Sequence, residues 1–230
     1  MRVNAVIVAA GEGKRMGAAA RKPLLALAGR PLILHTLSRF AASQVRRLVL
    51  VVAESDISTY PALVQSDPNL SGLEFVLQAG GRRRQDSVRL GLSRLDPDCE
   101  VVVIHDGARP FIAPEIIERC VEAASREGAA VVGVPVSDTI KIVLPSRHVQ
   151  QTPARDSLWE IQTPQAFRTE IIREAFQQAP SDVEVTDDAT LVERLGKRVW
   201  VVEGSRSNIK ITVPEDLVYA EALLRAGLVS

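Results

Sequence analysis

The chain's first fifty residues carry cations at spacings that suit a polyphosphate. Val3 to Ala10 is a short apolar run that leads directly into Gly11-Glu12-Gly13-Lys14-Arg15-Met16-Gly17. Glycines permit a tight turn whose N–H groups approach an anion, and lysine and arginine add charge-assisted hydrogen bonds to phosphate oxygens. Arg21-Lys22-Pro23 follows, where Pro23 is predicted to open a helix with Lys22 just before it. A helix N-terminus is itself positive, so a lysine there is favoured only if an anion is shared with the neighbouring loop. Between Gly13 and Ala53 there is no Asp or Glu, whereas Lys14, Arg15, Arg21, Lys22, Arg30, Arg39, Arg46 and Arg47 all fall in that window.

Two common phosphate motifs are excluded. A dinucleotide fingerprint, G-x-G-x-x-G, would put its third glycine at Met16 rather than Gly17, and no acidic residue stands about twenty positions on to hold a ribose. A Walker loop needs G-K-[ST], which is absent. No serine, histidine and carboxylate or cysteine and histidine arrangement points to a protein nucleophile; His35, His105 and His148 lie in unrelated contexts.

Positioning these cations falls to a chain of 230 residues with a formal net charge of zero, 46% hydrophobic. Zero net charge argues against a general nucleic-acid or membrane-surface binder, so any cationic function is local. Cys99 and Cys120 form neither a C-x-x-C nor a Cys/His cluster, which fits a reducing cytoplasm and supports no zinc site. The start reads as a strand and a charged loop rather than a signal peptide, and no apolar run approaches the ~18 residues that span a bilayer.

β-Branched apolar runs at Ala5–Val8, Leu48–Val52, Glu74–Leu77, Val101–Ile104, Ala129–Val134 and Val199–Val202 read as strands. Helical spacing between them covers Pro31–Phe40, Arg84–Leu95, Pro114–Ser125 and Thr169–Phe176. Continuous hydrophobicity means strands covered on both faces, hence an α/β fold with a mostly parallel, doubly wound, Rossmann-like sheet. Ligands of such sheets bind at the strands' carboxyl ends. Gly11–Gly17, Gly80-Gly81 and His105-Asp106-Gly107-Ala108-Arg109 all fall there. Thr139–Leu144 alternates, and a polar strand returns through Val149–Thr152 after Pro145-Ser146-Arg147, which predicts a hairpin arm. Two strands alone are marginal in water, so the arm must pack on the parent sheet or on another subunit. No linker divides the chain, which reads as one domain, 1–230, with an arm subdomain at about 137–158.

Ala9-Ala10-Gly11-Glu12-Gly13-Lys14-Arg15-Met16-Gly17, followed by Lys22-Pro23, resembles the signature of nucleotidyltransferases with a glycosyltransferase-A-like α/β fold. Gly80-Gly81-Arg82-Arg83-Arg84-Gln85-Asp86-Ser87-Val88 and His105-Asp106-Gly107-Ala108-Arg109-Pro110-Phe111 narrow the likeness, as do Thr163-Pro164-Gln165, Thr186-Asp187-Asp188-Ala189 and Asn208-Ile209-Lys210-Ile211-Thr212. Together they are similar to the 2-C-methyl-D-erythritol 4-phosphate cytidylyltransferase family of the non-mevalonate isoprenoid pathway. Ribitol 5-phosphate cytidylyltransferases and other sugar-phosphate nucleotidyltransferases are the alternative.

The resemblance implies in-line attack by a polyol phosphate on the α-phosphorus of CTP, with Mg²⁺ held mainly by the triphosphate and no metal ligand named on the protein. It gives Arg15 and Lys22 the task of stabilising charge at the α-phosphate and pyrophosphate, and Arg155 and Lys210 that of holding the acceptor's phosphate. The nucleotide is assigned to Ala9, Ala10, Gly11, Gly13, Gly81, Arg82, Ser87, Asp106, Gly107 and Arg109. The acceptor is assigned to Asp106, Arg155, Thr163, Thr186 and Lys210. It also implies a homodimer in which the arm embraces a second subunit and delivers Arg155 across the interface.

Overall fold

The computed structural model describes residues 1–11, 21–180 and 184–229. Among these, the strands are β1 (Val3–Ala9), β2 (Ala26–Leu27), β3 (Arg30–Pro31), β4 (Arg47–Val52), β5 (Phe75–Ala79), β6 (Val101–Asp106), β7 (Ala129–Pro135), β8 (Ile142–Val143), β9 (Val149–Gln151), β10 (Trp159–Arg168) and β11 (Trp200–Glu203). The helices are α1 (Leu32–Ala41), α2 (Tyr60–Gln65), α3 (Arg84–Leu92), α4 (Pro114–Glu127), α5 (Thr169–Gln178), α6 (Ala189–Arg194) and α7 (Pro214–Arg225).

Seven strands form the central sheet in the order β11-β7-β10-β6-β1-β4-β5. β5, β4, β1 and β6 are parallel, and β11 is parallel to β7. β10 runs antiparallel between β6 and β7. Both faces are covered, as the unbroken apolar runs require. Ile7, Leu50 and Val103 pack with Ile33, Leu37, Phe40 and Ile117 on one side; Val6, Val49 and Val102 pack with Val88, Leu92, Ile172 and Phe176 on the other. From β1 the chain builds outward to β4 and β5, then crosses back to place β6 on the other side of β1. That reversal opens a crevice at the carboxyl ends of β1 and β6.

β10 has no counterpart among the predicted strands. Thr163-Pro164 interrupts its pattern, and the structure absorbs the interruption as a register shift between Ile161 and Gln165 against β7. The arm is present as β8 paired with β9 in antiparallel register. Ile140, Ile142, Val143, Leu144 and Val149 on it are all exposed. Among the described residues no helix is long and apolar enough to cross a membrane.

Candidate active site

A cleft of about 620 Å³ lies over the crevice between β1 and β6. Its walls come from Val8–Gly11 at the end of β1, Lys22 and Pro23, the 81–84 turn with Ser87 of α3, Asp106 and Ala108 after β6, and Lys210 and Thr212. Another depression, of about 560 Å³, sits at the amino ends of the strands. Ion pairs join Arg2 to Asp98, Arg47 to Asp96 and the N-terminus to Glu100 around it.

Close backbone approach shapes the Gly80–Ser87 side of the cleft. A Cβ on Gly80 would lie 2.2 Å from Ala10 Cβ, and one on Gly81 would lie 2.5 Å from Asp86 Cβ. Gly80 lets the exit of β5 sit this close to the exit of β1, and Gly81 lets the turn fold back against the start of α3. The turn is then pinned by Ser87, whose Oγ accepts from Gly81 N–H at 3.0 Å and donates to Arg83 O at 3.2 Å. Asp86 closes the first turn of α3 by accepting from Arg83 N–H at 3.1 Å and from the Arg83 guanidinium at 2.8 and 3.0 Å.

Lys22 begins a single 3₁₀ turn, Lys22–Leu24, rather than preceding an α-helix. One such turn carries little dipole, so the expected conflict between cation and helix terminus is absent. Lys22 nonetheless lines the cleft.

Asp106 is the acidic residue in the cleft's described lining. Arg84 Nε donates to its Oδ1 at 3.0 Å, and Lys210 Nζ lies 2.7 Å from Oδ2. Burial opposes its charge, but Arg84 and Lys210 outweigh that and hold the carboxyl well below the usual carboxylate range. Arg84 also reaches Asp188 Oδ2 at 2.9 Å, and Asp188 is fully buried.

Behind the cleft, hydrogen bonds fix the end of β6. Asp106 N–H donates to Thr163 Oγ1 at 3.0 Å, and Thr163 Oγ1 is 3.1 Å from His105 Nδ1. His105 Nε2 is 3.1 Å from Arg109 O, a carbonyl that can only accept, so the proton sits on Nε2 and Nδ1 accepts from the threonine. Burial keeps this ring neutral, lowering its pKa to about 4. Arg109 Nη1 donates to Asn208 O at 2.7 Å, and Asn208 Nδ2 donates to Gln162 Oε1 and Thr163 O, both at 2.9 Å. Ile211 N–H donates to Ala108 O at 2.9 Å, so the segment carrying Lys210 is laid across the end of β6.

Of the residues singled out from sequence, Ala9, Ala10, Gly11, Lys22, Gly81, Arg82, Ser87, Asp106 and Lys210 meet at the cleft. Gly107, Arg109 and Thr163 are not part of its wall: Gly107 N–H donates to Val8 O at 2.9 Å, and the other two are committed to the network behind Asp106. Thr186 is exposed on the segment that carries Asp188, and Arg155 is exposed at the base of the arm, donating to Ser137 O at 2.9 Å. Gly13 and Arg15, with the rest of 12–20, lie outside the described residues. Sequence reasoning assigned no role to Asp188 or Gln165. Both sit inside quoted motifs, but burial beside a guanidinium or a backbone turn leaves no mark in residue type.

A mostly parallel sheet that gathers cations and a clamped carboxylate at its switch point suits a nucleotide-handling α/β enzyme, and similarity to known proteins places it in the nucleotidyltransferase class. The family model for 2-C-methyl-D-erythritol 4-phosphate cytidylyltransferase matches residues 3–226. Proteins of that name from Alkaliphilus metalliredigens and Pelotomaculum thermopropionicum are 44% and 46% identical. Their alignments cover 97% and 98% of this chain and 93% and 95% of theirs. A 4-diphosphocytidyl-2C-methyl-D-erythritol synthase structure from Anaerococcus prevotii superposes with a TM-score of 0.87 at 32% identity, covering 97% of this chain and 96% of that one. The Thermus thermophilus cytidylyltransferase structure gives 0.79 at 35%, covering 98% and 100%. The chain belongs to the 2-C-methyl-D-erythritol 4-phosphate cytidylyltransferase family.

Proposed function

We propose that the protein transfers the cytidylyl group of CTP to 2-C-methyl-D-erythritol 4-phosphate, releasing pyrophosphate and forming 4-diphosphocytidyl-2-C-methyl-D-erythritol. The observation that carries this reading is the meeting of Lys22, the Gly81–Arg84 turn and the Lys210–Asp106 pair in one cleft of a chain matched by the family over nearly its full length. An acceptor phosphate oxygen attacks the α-phosphorus in line; the new O–P bond forms as the bond to pyrophosphate breaks. No protein nucleophile is needed, so catalysis is positioning and charge stabilisation.

Lys22 and Arg15 are assigned the task of stabilising the charge that builds on the leaving pyrophosphate. Ala9, Ala10, Gly11, Gly13, Gly81, Arg82 and Ser87 seat the nucleotide. Lys210 and Asp106 face the acceptor, with Arg155 and Thr186 completing its site; Thr163, Arg109 and Gly107 serve it by fixing the end of β6. With aromatics only 4% of the residues, hydrogen bonds rather than stacking must read the base.

Mg²⁺ would travel with the triphosphate, offsetting its charge. Asp106 is the cleft carboxylate in reach, and both its oxygens already face cations. Among the described residues no three His, Cys, Asp or Glu side chains converge, so phosphate and water oxygens would supply most of the coordination.

The exposed apolar arm supports a homodimer in which a second subunit covers it and receives Arg155. We read the chain as one domain with this arm at about 137–158. We place it in a reducing cytoplasm, consistent with two buried free cysteines.

Pyrophosphate release with CTP and Mg²⁺ tests the reading, with methylerythritol phosphate, ribitol 5-phosphate and hexose 1-phosphates compared as acceptors. Turnover is expected with the first. No release with it, or faster release with ribitol phosphate, would overturn the assignment.

A further inference from the structure

We propose that Asp188 is a positioning residue for cytidylyl transfer, acting through Arg84 to set the orientation of Asp106. The inference rests on the cytidylyl-transfer reading.

Arg84 stands between two carboxylates. Its Nε holds Asp106 Oδ1 at 3.0 Å on the cleft side, and its Nη1 lies 2.9 Å from Asp188 Oδ2 on the interior side. Asp188 is 0% exposed, and among the described residues neither of its oxygens has a partner besides that ion pair. A buried carboxylate satisfied by one guanidinium is costly to keep, and helix capping does not account for it, because its side chain makes no cap hydrogen bond to α6.

The position of Asp188 is itself built. Gln165 of β10, 1% exposed, accepts at Oε1 from Asp188 N–H at 3.2 Å and Ala189 N–H at 3.0 Å, and donates from Nε2 to Asp187 Oδ2 at 2.9 Å. Two residues earlier on the same strand, Thr163 holds Asp106 N–H. One strand therefore fixes both ends of the Asp106–Arg84–Asp188 bridge. A guanidinium is planar, so anchoring Nη1 at Asp188 fixes the direction from which Nε meets Asp106. Oδ2 of Asp106 is thereby left facing Lys210. Without the anchor, Arg84 is free to turn both edges of its fork onto Asp106 or onto a bound phosphate, and Lys210 loses its fixed partner.

The test compares Asp188→Asn, Arg84→Lys and the double variant in the pyrophosphate-release assay, with kcat and KM measured separately for CTP and for methylerythritol phosphate. Asparagine keeps the shape but removes the charge that holds Arg84. Asp188→Ser is made in parallel in case an amide facing the guanidinium prevents folding. The expected result is a folded Asp188 variant with kcat lowered roughly 10–100-fold and CTP KM little changed. The double variant should be no slower than the slower single one, because both break the same bridge.

Wild-type kcat in a folded Asp188 variant, or losses that multiply in the double variant, would overturn the proposal. So would failure of both Asp188 variants to fold while Arg84→Lys folds, since Asp188 would then be structural. Absence of turnover in the wild-type protein would instead sink the cytidylyl-transfer reading, so the two failures are distinguishable.

Discussion

Asp106 and Thr163, 57 positions apart, are joined where β6 and β10 lie side by side: the backbone N–H of one donates to the side-chain oxygen of the other at 3.0 Å. The same hydroxyl gives its proton to His105 Nδ1. Thr163→Val keeps the shape and removes both bonds, leaving a buried N–H and a ring nitrogen unpaired at roughly 1–3 kcal/mol each. Tm is expected to fall by at least roughly 4 °C and kcat to fall with it, while Thr163→Ser stays near wild type. If Thr163 instead served only by touching the acceptor, the valine variant would raise acceptor KM with Tm unchanged.

His105 gives the protein a pH dependence whose sign is fixed by its burial. The folded ring titrates near 4, below the ordinary 6.5, because burial disfavours the imidazolium. Between those values the unfolded chain binds a proton that the native state refuses, so this group lowers stability as pH falls from about 6.5 to about 4. The loss should total roughly 3 kcal/mol and stop near pH 4, where the native ring also protonates. Urea unfolding of wild type and a folded His105→Gln variant across that range measures it; parallel curves would show that the ring is not held neutral.

Six of the seven central strands and the helices α1, α3, α4 and α5 were legible because burial on two faces writes continuous apolar runs, and the glycine and cation motifs mark where strands end. β10 was not, since Thr163-Pro164 breaks the pattern of a strand that exists through pairing on both sides. Asp106 was legible as a charge placed after a strand, whereas Arg82 and Lys210 were marked only by the family resemblance, because taken alone they read as exposed cations. The network behind them was not: that Thr163 faces His105, or that Arg84 reaches back to Asp188, depends on elements brought together across 58 and 104 positions of chain. Lys22 shows the opposite error. A dipole argument singled it out, yet the helix supposed to supply the dipole is one 3₁₀ turn.

Gly91 sets the spacing between α3 and the sheet. A Cβ there would lie 2.5 Å from Val6 Cγ1 and 3.0 Å from Val51 Cγ2. Alanine gains about 1 kcal/mol of helix propensity over glycine, but forcing a methyl into a filled core typically costs about 1–3 kcal/mol. Packing should win, because both valines are fully buried on neighbouring strands and cannot yield independently. Gly91→Ala is therefore expected to lower the urea midpoint with an unchanged m-value. A raised midpoint would mean that α3 moves off the sheet at little cost.

Arg155 lies at the base of the arm, where it donates to the carbonyl of Ser137, on the arm's other side. If it serves a second subunit's cleft, a variant lacking Lys22 and one lacking Arg155 have complementary defects. Lys22→Ala is expected to reduce kcat by about 10²–10³, and Arg155→Ala to raise acceptor KM and lower kcat. After unfolding and refolding as a mixture, mixed dimers would each carry one site with an intact Lys22 and an intact Arg155. With random pairing, about one quarter of all sites recover, because half the dimers are mixed and each restores one of two sites. Recovery of that size, absent when either variant is refolded alone, would support a site shared between subunits. No recovery, despite mixed dimers detected by mass, would place Arg155 in its own subunit's site or in none.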